Sequence, residues 1–144
     1  MRGLGFVFGM AFFVIGCQAV APTAEPLAAA FALVGSAWIA EEIEGRRVLD
    51  QVQSTLTFES AERIVGSTGC NRYFAPLQVS GMALRIGMGG STRRACPPEV
   101  VDQESRFLAA LDAVRTYRRD GSTLLLSDDG GQVRLRLKQT DAAA

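Results

Sequence analysis

The chain has 144 residues, 48% of them hydrophobic and 21% charged, a balance that suits one small domain with a buried core and disfavours disorder along the whole length. Fifteen basic residues against fifteen acidic ones leave no net charge, so no overall field holds the chain on nucleic acid. Histidine is absent, which excludes a Ser-His-Asp triad, a Cys-His pair and a His-ligated metal site; neither a catalytic set nor a metal or cofactor is expected.

Met1 and Arg2 precede an apolar or glycine stretch, Gly3 to Gly16, that ends at Cys17. Fourteen residues fall short of the roughly 20 that span a bilayer, and the order of positive end, short apolar core and small residues is that of a signal peptide. Val14-Ile15-Gly16-Cys17 resembles the lipobox of bacterial lipoproteins. That resemblance implies removal of residues 1–16 and acylation of Cys17, with the membrane as a partner through the lipid. Gln18 stands where Asp would signal inner-membrane retention, so the expected place is the outer membrane, facing the periplasm. Residues 17–35 read as the lipidated Cys and a flexible tether, rich in small residues and Pro at 18–26. Within it, Leu27 to Val34 is too apolar to stay in solvent and is expected to dock on the domain as a strand or short helix.

From Ser36 onward Gly and Asp pairs punctuate strand-sized runs. Trp38 to Ile43 and Arg46 to Asp50 are strand candidates. Ser54 to Glu59 alternates, with Leu56 and Phe58 on one face. Arg63 to Gly66 and Leu84 to Ile86 follow, and Gly87 to Gly90, with no Gly-Lys-Ser/Thr after it, reads as a bend or bulge rather than a phosphate loop. Pro97-Pro98-Glu99 opens a helix that runs to Leu111, with an apolar stripe of Val100, Val101, Phe107, Leu108 and Leu111. Glu104 falls in that stripe, either at its solvent edge or against a buried partner such as an Arg. Arg115 to Arg119 is a further strand. Leu124 to Leu126 then faces Gln132 to Leu137 across Ser-Asp-Asp-Gly-Gly, whose glycine steps supply the positive φ of a hairpin; Val133, Leu135 and Leu137 share one face. The fold class is mainly β with one packed helix, domain boundaries 36–138, and a disordered tail at 139–144.

Gly69-Cys70-Asn71-Arg72-Tyr73 is followed by Thr92-Arg93-Arg94-Ala95-Cys96, then by Glu104-x-x-Phe107-Leu108-x-x-Leu111 and the closing hairpin. With Trp38 and Gly45 at its start, this order resembles the META domain family, which includes heat-shock lipoproteins of the HslJ type. Arg94 departs from the pattern, which commonly has Met there. The resemblance implies a small antiparallel β-barrel or half-barrel with a helix packed on it, a stress-related envelope role and no catalytic activity.

Cys70 and Cys96 remain once Cys17 is acylated, an even number in an exported chain, so a disulfide is the default reading. Two separately buried thiols or a metal pair are the alternatives. A bridge would draw Asn71, Arg72, Arg93 and Arg94 into one candidate anion or partner contact, unless each Arg pairs locally. Two functions follow: a non-enzymatic binding or assembly factor for envelope proteins, or a carrier of an acyl chain or other hydrophobic ligand. An internal apolar cavity would favour the carrier, and a filled core with an exposed apolar or Arg-rich patch the binding factor.

Overall fold

A computed structural model describes residues 28, 30 and 32–141. Cys17, the expected signal segment and most of the tether lie outside the described residues, as do residues 142–144. Ten strands form the sheet: β1 (Ala37–Ile43), β2 (Arg46–Arg47), β3 (Thr55–Ser60), β4 (Arg63–Ser67), β5 (Arg72–Ser80), β6 (Ala83–Ile86), β7 (Gly90–Ser91), β8 (Thr116–Asp120), β9 (Thr123–Ser127) and β10 (Val133–Thr140). A helix, α1 (Pro98–Ala113), lies between β7 and β8. Every pairing is antiparallel, in the order β10-β9-β8-β6-β5-β4-β3-β1, and β10 pairs back onto β1. The sheet therefore returns on itself as an irregular ring, the half-barrel with one helix that the sequence predicts. Its weakest join is β6 to β8, where Ala83 opposite Thr116 is the single register pair.

Alternation of side chains sorts each strand into an inside and an outside. Trp38, Leu56, Phe58, Ile64, Leu77, Leu84, Leu124, Leu126, Leu135 and Leu137 point inward and, with Phe107 from the helix, fill the interior. Ala30 and Leu33 are also buried, and the carbonyl of Phe58 accepts the Gly35 N–H at 2.8 Å. The packed unit thus begins before residue 36, in a helical turn, and it continues past 138 because Gln139 and Thr140 complete β10 against Trp38 and Ala37.

Several expectations shift. Arg46 to Asp50 forms a strand only at Arg46–Arg47. β5 was not expected; Pro76 within it masks the inward alternation of Tyr73, Ala75 and Leu77. Gly87 to Gly89 is the expected bulge, needed because a Cβ on Gly89 would overlap the Phe74 carbonyl. Val133 is exposed beside a bulge in β10, unlike Leu135 and Leu137. The helix is rotated from its expected face: Gln103, Phe107, Ala110 and Leu111 are buried, whereas Val101 and Leu108 are exposed. A polar residue takes the buried position because the 49–54 loop presents backbone groups that need partners.

Candidate functional site

The most densely bonded region is the corner between β4 and β5. Thr68 opens it with a local turn, its N–H donating to the Asn71 carbonyl at 2.8 Å and its hydroxyl oxygen accepting the Asn71 N–H at 2.8 Å. Gly69 takes φ +101, a conformation that L side chains rarely adopt. Cys70 is bonded to Cys96 with 6.1 Å between their α-carbons, so the default reading of the two cysteines is the correct one.

Asn71 ties three segments together. Its Oδ1 accepts the Arg94 N–H at 2.7 Å and the Thr92 hydroxyl at 3.0 Å, and its Nδ2 donates to Glu104 Oε1 at 2.9 Å. Glu104 also accepts the Thr68 hydroxyl at 2.6 Å. The partners of Glu104 are therefore a hydroxyl and an amide, not an Arg. One residue earlier, Gln103 accepts the Leu49 N–H at 2.7 Å and donates to Val52 O and Ser54 Oγ, both at 3.1 Å. Among the described residues no buried side-chain polar atom lacks a partner. Asn71 is buried and its side chain is spent on this staple, which removes it from the candidate contact residues and makes it the residue that positions them.

Tyr73 extends the corner inward. Its ring meets Phe107 edge-on at 5.7 Å, and its hydroxyl donates to Thr55 O at 2.9 Å. Burial pushes that hydroxyl far above the usual tyrosine range, so it remains a donor. Opposite it stands Gly66, where a Cβ would overlap the Thr55 carbonyl.

On the outside, the same segments present Arg72, Arg93 and Arg94, all exposed. The bridge and the Asn71 bonds lay the Thr92–Cys96 segment beside β5, with the Arg72 N–H on Thr92 Oγ1 at 3.1 Å. Among the described residues none of the three guanidiniums has an ion-pair or hydrogen-bond partner, so the alternative of local pairing does not hold there. Two open grooves meet nearby, and Arg72 lines the larger. The larger, about 710 Å³, crosses the outer face of β3, β4 and β5 and is lined by Thr57, Arg63, Val65, Arg72, Phe74 and Thr92 among others. The smaller, about 390 Å³, runs from Phe74 past Met88 to Leu108. Phe74 belongs to both and is 48% exposed, with Arg63 stacked 4.9 Å over its ring and that Arg paired to Glu59 at 3.1 Å. Phe74, Met88 and the grooves escaped the sequence reading; the outward alternation of Arg72, Phe74 and Pro76 is the signal that carries them.

No group of three or more His, Cys, Asp or Glu suited to a metal occurs among the described residues, and no helix among them is long and apolar enough to cross a membrane. What the arrangement offers is a cationic, partly apolar surface held rigid from behind.

The META domain family model matches residues 31–141. No curated protein matches the sequence. Among solved structures, one from Burkholderia xenovorans determined by NMR is similar at 23% identity and a TM-score of 0.60, covering 90% of this chain and 99% of that one. A second NMR structure is similar at 21% identity and a TM-score of 0.60, covering 76% of this chain and 92% of that one. Likeness at this identity concerns the fold.

Proposed function

The chain belongs to the META domain family, and from that premise we propose that it is a non-enzymatic, membrane-anchored envelope lipoprotein of the stress-related, HslJ-like kind, working as a binding or assembly factor. The observation that carries this is the contrast between a filled interior and an open, cationic outer face on β3, β4 and β5. Buried side chains pack into one cluster inside the ring, where a carrier would hold an acyl chain in a concave, preformed site. Absence of histidine and the internal use of the Glu104 carboxylate support a role without catalysis.

Acylation at Cys17 places the domain in the periplasm against the outer membrane. Radiolabelled palmitate should enter the wild-type protein and not Cys17→Ser; a wild type that takes up none would remove the anchor from this reading. The contact face is tested by a photo-crosslinking phenylalanine analogue placed at position 74 or at position 118, on the far strand β8. Adducts in cells are expected from position 74 and not from 118; equal yields at both, or none at 74, would overturn the assignment of the face.

A further inference from the structure

Resting on that reading of the outer face, we propose that its partner is an anionic lipid surface, with Phe74 and Met88 entering the headgroup region while Arg72, Arg93 and Arg94 take lipid phosphates.

Charge and polarity on this face are matched to a leaflet. A guanidinium presents a planar fork to phosphate oxygens, and basic residues near an anionic membrane add to one another. Three such groups stand here without acid partners among the described residues. The bordering acids are Glu59, already held by Arg63, and Asp112 at the end of α1. Beside Phe74, which lines the same groove as Arg72, stand further apolar tips. Met88 is 96% exposed at the apex of the glycine bulge and Leu108 is 36% exposed beside it. A projecting methionine needs a socket in a protein partner, whereas a fluid interface accepts it without one.

Placement on the chain points the same way. If Cys17 carries the anchor, only residues 18–27 lie between it and the first described residue, a reach of at most about 35 Å when fully extended. The packed unit is entered beside Phe58, and Phe58, Ile64 and Ala75 stand on successive strands. Entry and Phe74 are thus separated by about 14 Å across the sheet. The tether holds this face within reach of the leaflet, at a local concentration that makes even weak binding count.

The test uses residues 17–144 with Cys17→Ser, a chain that keeps every described contact and carries no lipid. Cosedimentation with pure phosphatidylglycerol vesicles should exceed that with pure phosphatidylcholine by about 100-fold in affinity. Combining Arg72→Ala, Arg93→Ala and Arg94→Ala should abolish about 100-fold of it. Met88→Ser, at a site too exposed to affect folding, should cost about tenfold. Arg46→Ala with Arg47→Ala, which removes charge on β2, should stay within about threefold. Equal binding to both vesicles, or a β2 variant as damaged as the triple variant, overturns the proposal. Failure here with position 74 still cross-linking a protein in cells would leave the binding-factor reading standing and reject only the lipid partner; failure of both rejects both.

Discussion

The β4–β5 corner and the β9–β10 hairpin are both turns held by polar side chains, yet they are built on opposite plans. In the hairpin one carboxylate shapes the turn locally: Asp128 accepts the Gln132 N–H at 2.9 Å and the Arg134 guanidinium at 2.8 Å, while Arg134 adds a remote tie to Glu44, 90 residues away, at 3.1 Å. In the corner the partners are remote in sequence. Asn71 and Thr68 reach Glu104, 33 and 36 residues away, Gln103 spans 54 residues to Leu49, and the disulfide spans 26. A local turn shapes two strands, whereas a turn made of distant partners fixes the relative positions of helix, sheet and loop. The arginine-bearing face is attached to the second kind, so its geometry depends on the whole corner.

The largest test of that contrast is Phe107→Ala. Phe107 is fully buried under Tyr73, and its loss should cost about 3 to 5 kcal/mol in chemical denaturation, a large part of the roughly 5 to 15 kcal/mol that such a domain has. A cost under about 1 kcal/mol, with faster release of a bound acyl chain, would instead mark the helix as a lid over a cavity. Next comes the bridge: Cys70→Ser with Cys96→Ser should lose about 3 to 4 kcal/mol through the freed 26-residue loop. Non-reducing mass mapping that found both thiols free in protein from its native compartment would count against the bridge itself.

These two regions also explain what could be read from sequence. The hairpin was legible because its signals are contiguous: Leu124 and Leu126, the glycine turn, then Leu135 and Leu137, and the register pairs Leu126 with Leu135 and Leu124 with Leu137. The cysteines and the order of motifs located the corner, and the ring with one helix agreed with the half-barrel expectation. The roles within the corner were not legible. Nothing beside Asn71 in sequence shows that Glu104 and Arg94 will be its partners, and nothing beside Gln103 shows that it is needed by Leu49 and Val52. Apolar periodicity therefore put Phe107 and Leu111 inward correctly but misplaced Leu108 and Val101, because the buried polar residue Gln103 was invisible to it.

Asn71→Ala sharpens the comparison further. It removes one of the two hydrogen bonds to the Glu104 carboxylate, leaves the Arg94 N–H without its acceptor and should cost about 2 to 3 kcal/mol, while also loosening the Thr92–Cys96 segment, read as faster amide exchange at Arg94. Slow exchange at Arg94 in that variant would show the bridge alone to be sufficient.

The smallest effect belongs to the hairpin. The Gln132 N–H, and after it Arg134, hold the Asp128 carboxyl below the usual carboxylate range. A lowered folded value means that its stabilisation is complete above the unfolded pKa of about 3.9 and is lost as pH falls through the lower folded value. Asp128→Asn should therefore flatten the acid limb of stability as pH falls below the unfolded pKa, and at neutral pH cost less than Asn71→Ala. A hairpin variant as damaging as the corner variant would erase the distinction.

The most direct measurement is the native mass of the protein taken from its own membrane in mild detergent. The account predicts the chain from Cys17 with its covalent acyl groups and nothing held inside the ring, any retained molecule being exchangeable membrane phospholipid. A single noncovalent hydrophobic ligand other than membrane phospholipid, retained on each chain, would contradict it and place the function inside the ring.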